Sequence, residues 1–147
     1  MRLLSNEPVI ADAALAEQVG AREGQELHRV TLLRFRPREA VPAGLLHIYL
    51  RPEHADVVAQ IEGSREPVLR LVERRHGPRI AEVVQQIVAA TLRTVQARAL
   101  KSRAGKPALP VTRQYFDTQD RLLMATVGLY PSDRFSHNTR FRIQPER

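Results

Sequence analysis

The chain has 147 residues, 43% hydrophobic and 27% charged, with ten prolines, seven glycines and no cysteine. That length supports one core and not two, and the missing thiols exclude a disulfide framework, thiolate zinc sites and cysteine nucleophiles. No uncharged stretch approaches the roughly 20 apolar residues a bilayer demands, and the first seven residues hold no apolar signal core, so the expected location is cytoplasmic.

The formal charge is +7, and 21 of the 23 basic residues are arginine. Residues 1–62 carry a net −2 and residues 63–147 a net +9, so the C-terminal half alone is cationic. Arginine is the preferred fork for carboxylate and phosphate, which admits an anionic ligand or a nucleic acid. Equally, arginine can stand in for lysine on solvated faces, and these residues are scattered rather than bunched into a basic tail or an aromatic-basic stripe.

Asp12 is placed to cap a short alanine-rich helix ending at Val19, with Gly20 as the permissive residue after it. Residues 27–36 and 45–50 read as two adjacent strands forming a hairpin. Helices are expected over 52–61 and 67–76, the second stopped by Gly77-Pro78. Residues 80–90 are ambiguous. Ile80, Val83, Val84, Ile87 and Val88 fit a helical stripe, while the same β-branched content suits a strand covered on both faces. A helix follows near 93–100. Runs at 111–116, 122–130 and 135–143, separated by Asp120-Arg121 and Pro131-Ser132-Asp133, then read as an antiparallel meander.

An offset of 81 positions aligns Ala16 with Ala97, Gly24 with Gly105, Val30 with Val111, Thr31 with Thr112 and Tyr49 with Tyr130. The helix-strand-strand order matches as well. A true internal repeat would set two hairpins in one sheet around a shared cleft.

Signatures of chemistry are sparse. There is no phosphate-cradling glycine loop, nucleophile elbow or zinc-binding helix motif. The five histidines have no pair at three or four residues' spacing, so no metal site is assigned and no cofactor is expected. Asp117 and Asp120 flank a turn, where aspartate is expected for backbone reasons. Arg34-Phe35-Arg36 is the more informative motif, because a period of two directs both guanidiniums to one side of a strand. They are surface charges if that side is wet; if it is covered, they must face an anion or carboxylates. Tyr130, ending its run beside a proline, offers a hydroxyl or a half-buried ring.

Taken in order, Ala16 to Gly24, Arg34-Phe35-Arg36, Tyr49-Leu50-Arg51-Pro52 and the stretch from Leu71 to Gly77 resemble landmarks of one family. So do Ile80 with Gln86 and Ala89, Ala97 with Leu100, Arg113-x-x-Phe116-Asp117 and Tyr130-x-x-Asp133-Arg134-Phe135. The family is the UTRA effector-binding domain of GntR-type transcription regulators, in the HutC-like subgroup, and the resemblance covers nearly the whole chain. It implies a chorismate-lyase-like α+β fold, an antiparallel sheet of about six strands with flanking helices, and a cleft for a small effector. It also implies that residues 80–89 form a strand.

By the same resemblance Arg34 and Arg36 fall on the family's Arg-x-Arg strand, which holds the anionic part of the effector, and Tyr130 on its pocket tyrosine. Sugar-phosphate-sensing relatives carry acidic residues where this chain has Met124 and Leu46, and a serine where Pro67 stands. A less hydroxylated, more apolar acid is therefore expected, with Met124 and Leu46 lining an apolar side and Ser64 as a nearby donor beside a helix N-terminus.

Residues 1–10 are expected to be the remnant of an interdomain linker and 11–147 the effector domain. The family's N-terminal winged-helix reader is missing from this chain, so DNA would be contacted only through that absent domain. The resemblance further implies a homodimer. The alternatives are a chorismate-lyase-like enzyme on the same fold, and a basic nucleic-acid-binding domain resting on the cationic half.

Overall fold

A computed structural model describes residues 1–145. The Asp12 carboxylate accepts a hydrogen bond from the Leu15 N–H at 2.8 Å and so starts helix α1 (Ala13–Val19), which Gly20 closes with φ of 74°. Strands β2 (Glu26–Arg34) and β3 (Gly44–Leu50) then pair antiparallel, with Val30 opposite Ile48 and Leu32 opposite Leu46, as the hairpin reading predicts. Pro52 opens the next segment, which winds as a 3-10 helix (Pro52–Gln60). Helix α2 (Val68–His76) follows and stops at Gly77 in the left-handed region.

Residues 80–90 resolve as strand β4 (Ile80–Ile87) and a two-residue strand β5 (Ala90–Thr91). The strand agrees with the resemblance; the expected cover on both faces does not. β4 pairs only with β6 at the rim of the sheet, and Val83 and Val84 are 49% and 45% exposed. Helix α3 (Thr94–Ala99) and strands β6 (Pro107–Asp117) and β7 (Leu122–Pro131) complete the ordered elements. The third run of the expected meander, 135–143, forms no strand; Phe141 and Ile143 stand 86% and 93% exposed. Residues 1–10, expected as a linker remnant, instead carry strand β1 (Arg2–Ile10), which pairs antiparallel with β2.

The sheet therefore has seven strands, in the order β1-β2-β3-β7-β6-β4, with β5 also beside β6 and every pairing antiparallel. On one face, the 3-10 helix and α2 bring Val57, Ile61, Leu71 and Val72 against Val30, Leu32, Ile48 and Leu50. On the other, α1 packs Ala16 and Val19 over Leu27, Tyr49 and Ala125, and α3 packs Ala97 and Leu100 over Leu33, Leu45 and Leu129. This is the α+β architecture expected for the chain. Among the described residues no helix is long and apolar enough to cross a membrane.

The 81-residue offset reappears as geometry. The Gly24 N–H donates to the Ala11 carbonyl at 2.7 Å and the Gly105 N–H to the Leu92 carbonyl at 2.8 Å, both glycines having φ of 81°. The Ala11 and Leu92 N–H groups each reach the carbonyl of the residue after that glycine, Gln25 or Lys106, at 2.9 Å. The units α1-β2-β3 and α3-β6-β7 meet along the β3–β7 pair at the middle of the sheet.

Candidate functional site

Side chains on a strand alternate between faces, so one face collects Arg34 from β2, Leu46 and Ile48 from β3, Met124, Thr126 and Tyr130 from β7, and Val111, Arg113 and Tyr115 from β6. Where the cover of α2 begins, at Pro67, Val68 and Leu69, this face forms a cleft of about 150 Å³ lined by all of these residues. Its wall is mostly apolar, with two guanidiniums and no acidic side chain. Among the described residues neither Arg34 nor Arg113 has a carboxylate within ion-pair distance. Arg113 is aimed by the Gln85 side-chain oxygen, which accepts from its Nε at 2.7 Å. Two cations without a carboxylate partner, the exposed Arg34 and the half-buried Arg113, beside a mostly apolar wall favour an anion over a neutral or cationic guest.

Tyr130 lies flat along the sheet because two glycines leave it room. A Cβ on Gly44 would fall 2.5 Å from the Tyr130 ring, and one on Gly128 would fall 2.7 Å from it. Phe135 stacks on the outer side of that ring, with centroids 4.4 Å apart. Phe135 is held in turn by Arg134, whose guanidinium donates to the Pro42, Leu100 and Lys101 carbonyls. This closes the exposed end of α3 with a cation, where such groups are favoured.

Of the six residues singled out in the sequence, Arg34, Leu46, Met124 and Tyr130 line this one cavity. Arg36 and Ser64 do not. β2 ends at Arg34, so the period of two never reaches Arg36. Its guanidinium instead donates to the Arg134 carbonyl and lies 3.8 Å from Glu39. The Ser64 oxygen accepts from the Glu66 N–H at 3.0 Å, a local turn contact outside the cavity wall.

Arg113 and Tyr115 were missed. Arg113 belongs to Arg113-x-x-Phe116-Asp117, but it becomes a pocket residue only when β6 is set beside β7 with Arg113 opposite Thr126.

Away from the cavity, tertiary contact joins residues that have no sequence spacing in common. His54 is 5% exposed, its ring centroid 4.5 Å from that of His76, and the His76 Nε2 sits 2.7 Å from Asp56 Oδ1. Burial, and then the neighbouring His76, pushes the His54 pKa down. No group of three or more metal-ligating side chains occurs among the described residues. Several of the arginines in the cationic half are ion-paired, Arg70 with Glu73, Arg74 with Glu66 and Arg75 with Asp56 among them.

The UTRA domain model matches residues 1–136. A search of curated proteins returned no match. Among solved structures, a transcriptional regulator from Streptomyces coelicolor is 30% identical, with 98% of this chain and 93% of that chain covered at a TM-score of 0.85. The effector domain of PhnF from Mycobacterium smegmatis is 20% identical, with 97% and 86% covered and a TM-score of 0.79; in a second PhnF structure this chain covers 62% of that chain. The C-terminal domain of the histidine utilization repressor from Pseudomonas syringae is 15% identical, with 97% of each chain covered and a TM-score of 0.79.

Proposed function

The chain belongs to the UTRA domain family, the effector-binding domains of GntR-type regulators, and on that premise we propose that it senses a small anionic metabolite in the cavity between Arg34 and Arg113. The observation that carries this reading is the pairing of two unneutralised guanidiniums with an otherwise apolar wall that has no acidic residue. The guest is a carboxylate or phosphate with an apolar body: the acid is gripped by Arg113 and Arg34, the body lies against Met124, Leu46 and Ile48, and the Tyr130 hydroxyl offers a further hydrogen bond. Occupancy shifts a homodimeric, cytoplasmic regulator between states of different DNA affinity. DNA is contacted by a winged-helix domain outside these 147 residues. Coupling of this sort is typically about 1 to 3 kcal/mol.

The cavity wall holds no carboxylate or imidazole, so it offers neither of the usual proton carriers to a lyase reaction. The enzyme reading therefore gains no support from this site.

A thermal-shift screen against aliphatic and aromatic acids, sugar phosphates and their neutral amides tests the proposal. A true ligand at about 100 times its Kd stabilises the chain by roughly 2.7 kcal/mol. Arg113→Ala, which removes a charge-assisted hydrogen bond, is expected to weaken binding about tenfold to a hundredfold, and Arg34→Ala similarly. Arg36→Ala is expected to retain most of the affinity. If Arg34→Ala and Arg113→Ala both respond like the unaltered chain, the cavity is not the sensor site.

A further inference from the structure

The two helix-strand-strand units share a backbone design but carry opposite charge. Over 12–25 the first has Asp12, Glu17 and Glu23 against Arg22; over the equivalent 93–106 the second has Arg93, Arg98, Lys101, Arg103 and Lys106 and no acid. At the offset of 81 positions, Asp12 becomes Arg93, Glu17 becomes Arg98 and Gly20 becomes Lys101. Two of these exchanges work against the fold. The Asp12 carboxylate caps α1, whereas a guanidinium has no acceptor to offer the first turn of α3 and sets a cation at the positive end of that helix. Gly20 adopts its positive φ freely, whereas Lys101 holds φ of 50° with a side chain attached. Local rules broken in favour of cations, in a unit whose counterpart obeys them, mark a requirement that folding does not impose.

We propose that Arg93, Arg98, Lys101 and Arg103, on α3 and the turn after it, form a docking surface for the phosphate backbone of duplex DNA, in addition to the winged-helix contact proposed above. All four are exposed, and among the described residues none lies within ion-pair distance of a carboxylate. Lys106 is left out because Asp133 takes it at 2.6 Å. The four cations are held close together. α3 has six residues and so spans about 9 Å. The Leu92 N–H bonds to the Lys106 carbonyl and the Gly105 N–H to the Leu92 carbonyl, which returns the turn to the start of the helix beside Arg93. Arg134 braces the same turn through the Leu100 and Lys101 carbonyls, so the patch is built before any partner arrives. It lies on the face of the sheet opposite the cleft under α2, and a duplex therefore does not compete with the cleft's guest. The arginines of α2 do not make a second such patch, since Arg70, Arg74 and Arg75 are each paired with a carboxylate. The choice of DNA among polyanions rests on the regulator reading above, in which a duplex is already at hand.

Fluorescence anisotropy of the 147-residue chain with a labelled duplex of about 24 base pairs and arbitrary sequence tests this. Three to four phosphate contacts give a slope of about −3 in log affinity against log salt, roughly a sixtyfold loss between about 50 and 200 mM. The triple variant Arg98→Gln, Lys101→Gln, Arg103→Gln is expected to bind at least about tenfold more weakly at about 50 mM salt, with a slope shallower than about −1. Arg70→Gln, Arg74→Gln, Arg75→Gln, which removes the same charge from α2, is expected to keep both the affinity and the slope. Arg93→Asp separates contact from folding: it restores the cap found in α1, so it should raise the melting temperature by about 2 to 4 °C while weakening duplex binding several-fold. No duplex binding by the unaltered chain at about 50 mM salt, or equal losses in the two triple variants, overturns the α3 contact and leaves the sensing cleft untouched. An Arg93→Asp chain that is stabilised yet binds as tightly as the unaltered one also overturns it. So does a preference for polyglutamate of matched charge, which assigns the patch to an acidic protein.

Discussion

Asp117 is a carboxylate at 4% exposure, and the groups around it explain why it can stay charged there. Burial alone would raise its pKa, but the backbone N–H groups of Arg121 and Gln119 and the Arg121 guanidinium outweigh that and hold it below the ordinary aspartate value. Arg51, reaching from the end of β3, adds an ion pair at 3.4 Å and also donates to the Leu122 carbonyl at 2.9 Å. One carboxylate thus ties the β6–β7 turn to the start of the 3-10 helix. Asp117→Ala should lower the unfolding free energy by about 2 to 3 kcal/mol in urea titrations, since it leaves buried donors without their acceptor. With the folded pKa depressed, this contribution is present above the unfolded pKa near 3.8 and fades as pH falls through the folded value.

His54 also lowers stability in acid, but it begins to do so at a higher pH than Asp117. Its neutral form is the one favoured in the fold, and its Nδ1 is buried without a hydrogen-bond partner. The unfolded chain takes up the proton first, so stability declines as pH drops below about 6.5 toward the lowered folded value. His54→Leu is expected to flatten the loss of thermal stability between pH 6.5 and 5 without weakening the protein at pH 8. An unchanged pH profile would remove His54 from that role.

At the scale of elements, the cavity depends on two glycines, Gly44 at the start of β3 and Gly128 inside β7, where glycine is otherwise unfavourable. Gly44 and Gly128 lie under the Tyr130 ring, so a methyl at either position must lift it. Gly128→Ala should reduce ligand affinity at least tenfold, as measured by calorimetry, through displacement of the tyrosine into the cavity.

Elements with a wet and a dry side were legible in the sequence. α1 and the β2–β3 hairpin carry their caps or alternation locally. β4 was not, because its valines follow no solvent boundary of this single chain, and only the resemblance chose strand over helix. Its exposure on both faces then contradicted the reason that had been given for its composition. The tail at 139–143 errs the other way: a sound strand pattern finds no neighbour in its own sheet.

For the whole molecule, composition and charge set the single domain, and the 81-residue offset anticipated the two helix-strand-strand units that share one sheet. The local hydrogen bonds of each unit repeat because each is closed by a glycine at the same φ. Within the cationic half, the α2 arginines Arg70, Arg74 and Arg75 are paired with nearby carboxylates, which its net charge alone does not reveal. What the sequence by itself determined was everything written in short-range terms: caps, turns, strand alternation and the ordered landmarks of the UTRA family. The tertiary structure alone decided which side chains share a cavity. It put Arg113 and Arg34 in the wall of one cavity, sent Arg36 to a backbone carbonyl, and turned Ser64 into a turn contact. The physical reason is that a pocket on a sheet is assembled across strands, and the register between strands distant in sequence is fixed by packing against the helices rather than by any spacing along the chain.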